Sequence, residues 1–293
     1  MSTSYSAVGG AENAPVISRL GEPVAHPAPP SVVGADWSPF GFLIPVLAGS
    51  AGAGASVFAA AATDALQRAG RCALLVDAAE PFRSGLRSAT EVEGHHTTTP
   101  APGVRVQYNW RHHAVVAGRE TDLDPATCAA PGLEPMQWLP LPPLEPLHTT
   151  VVDLGQDWIR PEACDPTGAC EWLRAPVAGS PAPRPVLIVR ATRPSLMAAE
   201  AALARLDSLT TSGRLVGPAR LVVMASWKRR GWPAGVTGTA GARVARLLED
   251  AVFVPYDRDL DLGGVTADPA PARVQAVVAE LLDQWGLLTP PTT

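Results

Sequence analysis

A glycine-rich segment between two apolar runs carries the residues best suited to chemistry. Gly49, Gly54 and Ser56 match the phosphate-loop pattern G-x-x-x-x-G-K-[ST], but Ala55 stands at the lysine position. Backbone N–H groups in such a turn and at the start of the following helix bind anions whatever the side chains are. The lysine adds charge that follows the β- and γ-phosphates, and the hydroxyl holds Mg²⁺. The predicted phosphate-binding residues are those of this loop: Gly49, Ser50, Ala51, Gly52, Ala53, Gly54, Ala55 and Ser56.

Acidic residues follow two of the buried runs that we predict to be strands. Asp77 comes after the second run, and Asp153 ends a later one that reads TTVVD. In open α/β sheets, ligands bind beyond the carboxyl ends of the strands, so these groups should meet the glycine loop. We expect Ser56 and Asp153 to hold Mg²⁺, and Asp77 or Glu80 to lie near an attacking water. The expected ligand is ATP with Mg²⁺, weakly bound; no structural metal is predicted.

The order of elements predicts an α/β fold: a mainly parallel sheet of about six strands with helices on both faces, as in P-loop nucleotide hydrolases. Apolar runs predict strands at residues 40–47, 72–76, 149–154, 185–191, 219–225 and 251–254. Periodicity predicts helices at 55–68, 194–209, 239–249 and 270–285. A hairpin of residues 104–108 and 114–117 is expected in the weaker middle of the chain.

We expect a single domain over residues 39–288, with proline-rich insertions near 83–148 and 156–184. A disordered tail rich in Pro, Ala and Ser is predicted for residues 1–38, and a short tail for 289–293. The histidine pairs at 95–96 and 112–113 are interpreted as solvated loop residues rather than metal ligands, because neighbours on a strand point to opposite faces.

Composition narrows the function classes. With 46% hydrophobic and 17% charged residues the chain is typical of a soluble globular protein, and its net charge of −5 argues against a broad nucleic-acid surface. We found neither an apolar run of about 20 residues nor a signal peptide, and we therefore expect a cytoplasmic protein. Lys228 is the only lysine, which indicates a high-GC coding bias. That bias exchanges lysine for arginine on surfaces and does not explain alanine in a phosphate loop.

In their order, these motifs resemble the ParA/MinD family of partitioning and positioning ATPases over roughly residues 40–285. The family loop reads K-G-G-x-G-K-[ST], and Ser50–Ser56 is its counterpart without either lysine. Leu74–Pro81 resembles the family's LLIDADPQ, and Val151–Asp153 resembles its Mg²⁺-side strand. Val254–Asp257 matches its late VPYD turn.

The resemblance implies a nucleotide-binding fold that acts through protein partners and can form a homodimer. In this family the first lysine reaches the partner's nucleotide, and Ser50 has no charge to do so. Losing a charged hydrogen bond costs about 1.5–3 kcal/mol of binding, and a missing cation costs about 10³-fold or more in phosphoryl transfer. We therefore expect a pseudo-ATPase with a degenerate Walker A loop, serving in partitioning, at a cell pole, or in secretion or conjugation. An active but atypical ATPase would need a substitute cation such as Arg83, Arg193 or Lys228.

Three other interpretations stay open. The loop could be a tight strand-to-helix turn without a ligand. It could belong to a Rossmann dinucleotide site starting at Gly52 and Gly54 with Asp77 on a ribose, although Val57 stands at the third glycine position. The chain could also be an interaction scaffold that uses interleaved basic and aromatic residues on single-stranded nucleic acid or another anionic surface. That segment contains Trp227, Lys228, Arg229, Arg230 and Trp232.

Overall fold

The fold is taken from a computed structural model of the chain. It describes residues 34–80, 83–86, 88–90, 92–121, 132–140, 146–159, 169–226 and 232–289. Within them, no helix is both long enough and apolar enough to cross a bilayer.

Nine strands in the described ranges form one sheet, in the order β3-β4-β5-β2-β6-β1-β7-β8-β9. Pairing is parallel from β5 through β9 and antiparallel within the β3-β4-β5 extension. The strands are β1 Phe42–Ala48, β2 Ala73–Asp77, β3 Val92–Ala101, β4 Val104–Arg111, β5 Ala114–Thr121, β6 Thr149–Asp153, β7 Val186–Arg190, β8 Arg220–Ser226 and β9 Val252–Pro255. The predicted mainly parallel α/β sheet is confirmed.

Helices cover both faces of the sheet, because its central strands are apolar on both sides. One hydrophobic cluster joins the sheet to α1 (Ala55–Arg68) and α5 (Ala272–Gln284). The other joins it to α2 (Arg193–Thr211) and α3 (Ala242–Ala245). The bounds predicted for α1 agree with the structure.

Two helices differ from the prediction. The helix expected over residues 239–249 is reduced to the single turn of α3, which begins after Gly241. Gly238 and Gly241 lower helix stability there, and a side chain from α2, Glu200, caps the turn through the amides of Arg243 and Val244. The short α4 (Arg258–Gly263) was not predicted, because its start is set by one capping residue within the VPYD turn rather than by apolar periodicity.

The long edge strand β3 was also missed, and it places His95 and His96 in a strand rather than in a loop. Its sequence, VEGHHTTTPA, has no apolar alternation, and its register shifts between Val92 and His96 and again between Thr98 and Ala101. The predicted hairpin is present as β4 and β5, with its turn at His112 and His113.

Among the described residues, no cluster of three or more His, Cys, Asp or Glu could hold a metal ion.

The last residues of the predicted tail belong to the core. The Trp37 indole is 1% exposed and stacks on Trp172, with ring centroids 6.1 Å apart. Its Nε1 donates to the carbonyl of Arg174, and the amide of Ala35 donates to the carbonyl of Ala175 at 2.9 Å. The folded part therefore includes residues 34–38, upstream of the predicted boundary. Residues 1–33 lie outside the described ranges.

A buried ion pair fastens the antiparallel extension to the helical layer. Arg111 of β4 is fully buried and donates from Nε to Asp64 Oδ1 of α1 at 2.9 Å and from Nη2 to Oδ2 at 3.0 Å. The guanidinium also donates to the carbonyls of Ala89, Thr266 and Asp268. All three guanidinium nitrogens of Arg111 therefore donate hydrogen bonds to protein acceptors.

Replacing Arg111 by methionine should strongly destabilise the protein. The change leaves the Asp64 carboxylate buried without its counter-charge, and we expect the free energy of unfolding in urea to fall by about 3–5 kcal/mol. Arg105→Gln on the same strand is the matched control, because Arg105 is 46% exposed and lies 3.8 Å from Glu120. Its midpoint should stay at the wild-type value. A fall of less than about 1 kcal/mol for Arg111→Met would show that this pair contributes little.

Candidate functional site

The glycine loop lies between a central strand and the helix that follows it, as the sequence predicts. β1 ends at Ala48 and α1 begins at Ala55. Gly52 and Gly54 have φ angles of 63° and 101°, in the left-handed region that glycine adopts without a Cβ penalty. Gly54 is the N-cap residue of α1, and its carbonyl accepts from the amide of Phe58 at 3.0 Å.

Several main-chain N–H groups of this loop lack an acceptor within the described part of the chain. Among the described residues, no acceptor is found for the amides of Ser50, Ala51, Gly52 and Gly54. The first amides of α1 likewise belong to the unsatisfied end of a helix. In phosphate loops, unsatisfied main-chain donors of this kind are the groups that bind anions.

Gly49, predicted to contact phosphate, serves packing instead. Its amide donates to the carbonyl of Ile188 in β7 at 2.8 Å. A Cβ at this position would lie 2.9 Å from the Cβ of Ala199 and 3.0 Å from Cγ1 of Val189. The residue must be glycine because α2 and β7 approach the backbone here, and it does not line the cavity described below.

The two residues predicted to hold Mg²⁺ are in contact. Ser56 Oγ donates to Asp153 Oδ2 at 2.5 Å, and Asp153 Oδ1 accepts from the amide of Gly155 at 2.9 Å. Asp153 is fully buried, and burial raises the pKa of its carboxyl. The amide of Gly85 reaches Ser56 Oγ at 3.3 Å from the loop after β2. A hydroxyl and a carboxylate side by side at a strand end fit the oxygen donors that Mg²⁺ requires.

The two predicted catalytic carboxylates are engaged by neighbouring side chains and lie outside the cavity at the glycine loop. Asp77 accepts from Ser84 Oγ at 2.5 Å, and its Oδ1 is shielded from solvent although the residue is partly exposed. Burial and, second, the negative charge of Asp153 raise the pKa of Asp77 to about 7. Glu80 lies 3.5 Å from the guanidinium of Arg83. Neither carboxylate lines the cavity at the glycine loop.

A cavity of about 460 Å³ opens at this loop, which is a common size for a small-molecule site. Besides the loop, its lining residues come from the segments after β2 and β6, from the end of β7 and from α4: they include Arg83, Gly85, Asp157, Arg190, Leu260 and Asp261. Sequence reasoning missed Asp157, Arg190 and the α4 residues. Arg190 carried one available signal, since it is a charged residue at the carboxyl end of an otherwise apolar strand.

Of the three substitute cations named from the sequence, the structure brings one to the cavity. Arg83 lines it and pairs with the buried carboxylate of Asp157. Arg193 points elsewhere, with Nη2 3.5 Å from the carbonyl of Gly235. Lys228 lies outside the described residues, together with Trp227, Arg229 and Arg230.

Two of the open interpretations gain no support at this site. Asp77 is not positioned to contact a ribose in this cavity, because its carboxylate accepts a hydrogen bond from Ser84 and does not line the cavity. Trp232, the described aromatic of the basic segment, packs edge-to-face on Phe253 at 5.3 Å between ring centroids. That ring is held against the core rather than presented for stacking on bases.

The geometry defines a P-loop NTPase-like α/β fold, with the loop between β1 and α1 and an aspartate at the end of a neighbouring strand. Neither a protein-family model nor a curated protein matches the sequence. Comparison with solved structures does give matches. A ParA family ATPase from Chlorobium tepidum TLS is similar with a TM-score of 0.52 and 13% identity, over 83% of this chain and 98% of that chain.

Two MinD structures are similar at lower scores. The MinC:MinD cell division protein complex of Aquifex aeolicus matches with a TM-score of 0.49 and 15% identity, over 86% of this chain and 98% of that chain. The septum site-determining protein MinD of Pyrococcus horikoshii OT3, complexed with Mg-ADP, matches with a TM-score of 0.48 and 12% identity, over 86% of this chain and 100% of that chain. The likeness to the ParA family ATPase, at 13% identity, shows the fold alone. This chain has a ParA/MinD-like fold.

Replacing Asp77 by asparagine should change how stability depends on pH. The folded-state pKa of about 7 lies above that of an unfolded aspartate, so the wild-type protein loses stability as pH rises through this interval. Asparagine does not titrate. The difference in free energy of unfolding, Asp77→Asn minus wild type, should therefore rise between about pH 4 and pH 7 and stay constant above pH 7. The total rise should be at most about 4 kcal/mol.

Urea denaturation at several pH values measures this difference. Asp250→Asn, which makes the same substitution at a 74% exposed partner of Arg220, is the control. A constant difference for Asp77→Asn would mean that Asp77 titrates as an ordinary exposed aspartate.

Proposed function

We propose that this protein is a pseudo-ATPase: a ParA/MinD-like protein that binds ATP with Mg²⁺ weakly, does not turn it over, and acts through protein partners. The proposal places it in the cytoplasm as a regulatory or positioning component, in partitioning or at a cell pole, or in secretion or conjugation machinery. The fold it shares with a ParA family ATPase supports the nucleotide-binding part.

One observation carries the proposal: the glycine loop keeps its main-chain donors and its Ser56–Asp153 pair, while the lysine position is a buried alanine. Ala55 is 5% exposed and contributes no charge. The unsatisfied amides would hold phosphate oxygens, and Ser56 with Asp153 would hold Mg²⁺, which neutralises phosphate charge when bound. These parts support binding of a nucleotide at reduced affinity.

Turnover needs more than binding. Phosphoryl transfer depends almost wholly on electrostatic stabilisation of the transferring group, and the loop lysine supplies much of it. The acidic residues near the loop, Asp153 and Asp157, carry negative charge and cannot replace the positive charge of the lysine. Asp77 is also bonded to Ser84 and lies outside the cavity, so it is not placed to orient a water at the phosphate.

Ser50 bears on the dimer that the resemblance implies. Its hydroxyl lies 2.8 Å from Ser195 Oγ at the start of α2, and Ser195 Oγ also accepts from the amide of Arg190 at 3.0 Å. The side chain that stands at the first lysine position is thus turned inward. In our proposal a homodimer forms without a charge reaching across from this loop, and the protein partner takes over the regulatory role that turnover has in an active ATPase.

Restoring the lysine should strengthen nucleotide binding. We expect calorimetric titration with Mg²⁺-ATP to show weak binding to the wild-type protein, and Ala55→Lys to tighten it by about tenfold to a hundredfold through a charged hydrogen bond to phosphate. A phosphate-release assay on the wild-type protein should stay at background. Ala55→Gln, similar in length and uncharged, is the control and should not tighten binding.

The same assays identify the alternatives. Turnover by the wild-type protein that Asp153→Ala abolishes would replace the pseudo-enzyme by an atypical active ATPase. Absence of any heat of binding at millimolar Mg²⁺-ATP would leave the loop as a strand-to-helix turn and the protein as a scaffold.

A further inference from the structure

A cation that sequence reasoning did not name stands beside the glycine loop. Arg190 is the last residue of β7, the strand next to β1, and its Nε donates to the carbonyl of Gly52 at 2.9 Å. Its Nη2 lies 3.6 Å from Asp261 Oδ1 of α4. The guanidinium thus touches the loop itself and lines the same cavity as Ala55 and Ser56.

Arg83 stands on the opposite side of the loop. It comes from the segment after β2, and β2 and β7 flank the central pair β6 and β1 in the sheet. Arg83 pairs with Asp157 and lies 3.5 Å from Glu80. The cavity is therefore bordered by one guanidinium on each side, with the unsatisfied loop amides between them.

Arg190 is held loosely enough to change partner. The side chains of Arg190 and Asp261 are 45% and 38% exposed, and an ion pair of that exposure contributes little. The Arg83 side chain is 47% exposed, but its partner Asp157 is only 2% exposed, so that pair is held more firmly. The link of Arg190 to the loop runs through a main-chain carbonyl, so the guanidinium stays at the loop when Asp261 releases it. A guanidinium also presents paired donors that match phosphate oxygens.

We propose that Arg190 supplies from the neighbouring strand the positive charge that the loop lacks at Ala55, and that it pairs there with the phosphate groups of a nucleoside di- or triphosphate. This inference rests on the proposed nucleotide binding and names the residue that sustains it. Arg190 would reach the phosphate groups from the end of β7, beside the loop. A lysine at position 55 would reach them from the start of α1. That difference in position is consistent with binding that persists without turnover.

Calorimetric titration of the full chain with Mg²⁺-ATP, and separately with Mg²⁺-ADP, tests the assignment. We expect Arg190→Gln to bind about tenfold to a hundredfold more weakly than the wild type, and Arg190→Lys, which keeps the charge, to lose no more than about threefold. The matched control is Arg205→Gln, because Arg205 is exposed on α2 and does not line the cavity.

A second variant should move the affinity in the opposite direction. Asp261→Asn removes the carboxylate that competes with phosphate for Arg190, and we expect binding to tighten by about twofold to fivefold. Damage to the fold would weaken binding, so a gain of affinity cannot arise from misfolding. In an Ala55→Lys background, Arg190→Gln should cost less than it does alone, because the lysine then carries the charge.

The outcomes separate this inference from the proposed function. Wild-type binding together with an Arg190→Gln affinity within twofold of wild type would overturn the role of Arg190 and leave the pseudo-ATPase standing. Equal losses for the lysine and glutamine variants would show that Arg190 only shapes the loop, and would overturn the charge claim. No binding by the wild-type protein at millimolar nucleotide would overturn both.

Discussion

The carboxylate of Asp153 is the constraint around which the site is built. It is fully buried at the end of β6, between the ends of β1 and β2, where an unpaired charge is costly. The Ser56 hydroxyl and the amide of Gly155 offset that cost by donating to the carboxylate. The bond from Ser56 also fixes the first turn of α1 against β6. The shape of the glycine loop depends on this anchor, because the loop joins β1 to the helix that Ser56 ties down.

Main-chain and side-chain contributions to an anion site are separable, and our proposal assigns them to different elements of this protein. Amide donors depend only on backbone geometry, which Gly52 and Gly54 provide through left-handed φ angles. Charge can come from any element that ends near the loop. At this edge of the sheet, the strand ends on both sides bring arginines, while Ala55 leaves the loop itself uncharged. A loop without lysine is therefore not an uncharged site.

The sequence predicted the elements whose patterns are strong and local. α1 was placed correctly because an alanine-rich run lies between glycines, and β1, β2 and β6 because they are buried on both faces. Ser56 and Asp153, which the sequence assigned to one site, are in contact, because the first turn of α1 meets the carboxyl end of β6. β3 was missed because it is an edge strand without alternation, and α4 because a single aspartate cap starts it. Arg190 and the inward turn of Ser50 depend on which strand lies beside β1, and no local pattern encodes that order. Trp37 was assigned to a tail because its partners lie more than a hundred residues away.

The irregular pairing of β3 has a consequence for solubility. This strand forms one margin of the sheet, and a ten-residue margin with regular spacing would offer a template for another chain. Its two register shifts and Pro100 interrupt the row of exposed main-chain groups, and the opposite margin, β9, is only four residues long. The same irregularity that hid β3 from its sequence thus protects the protein against edge-to-edge aggregation.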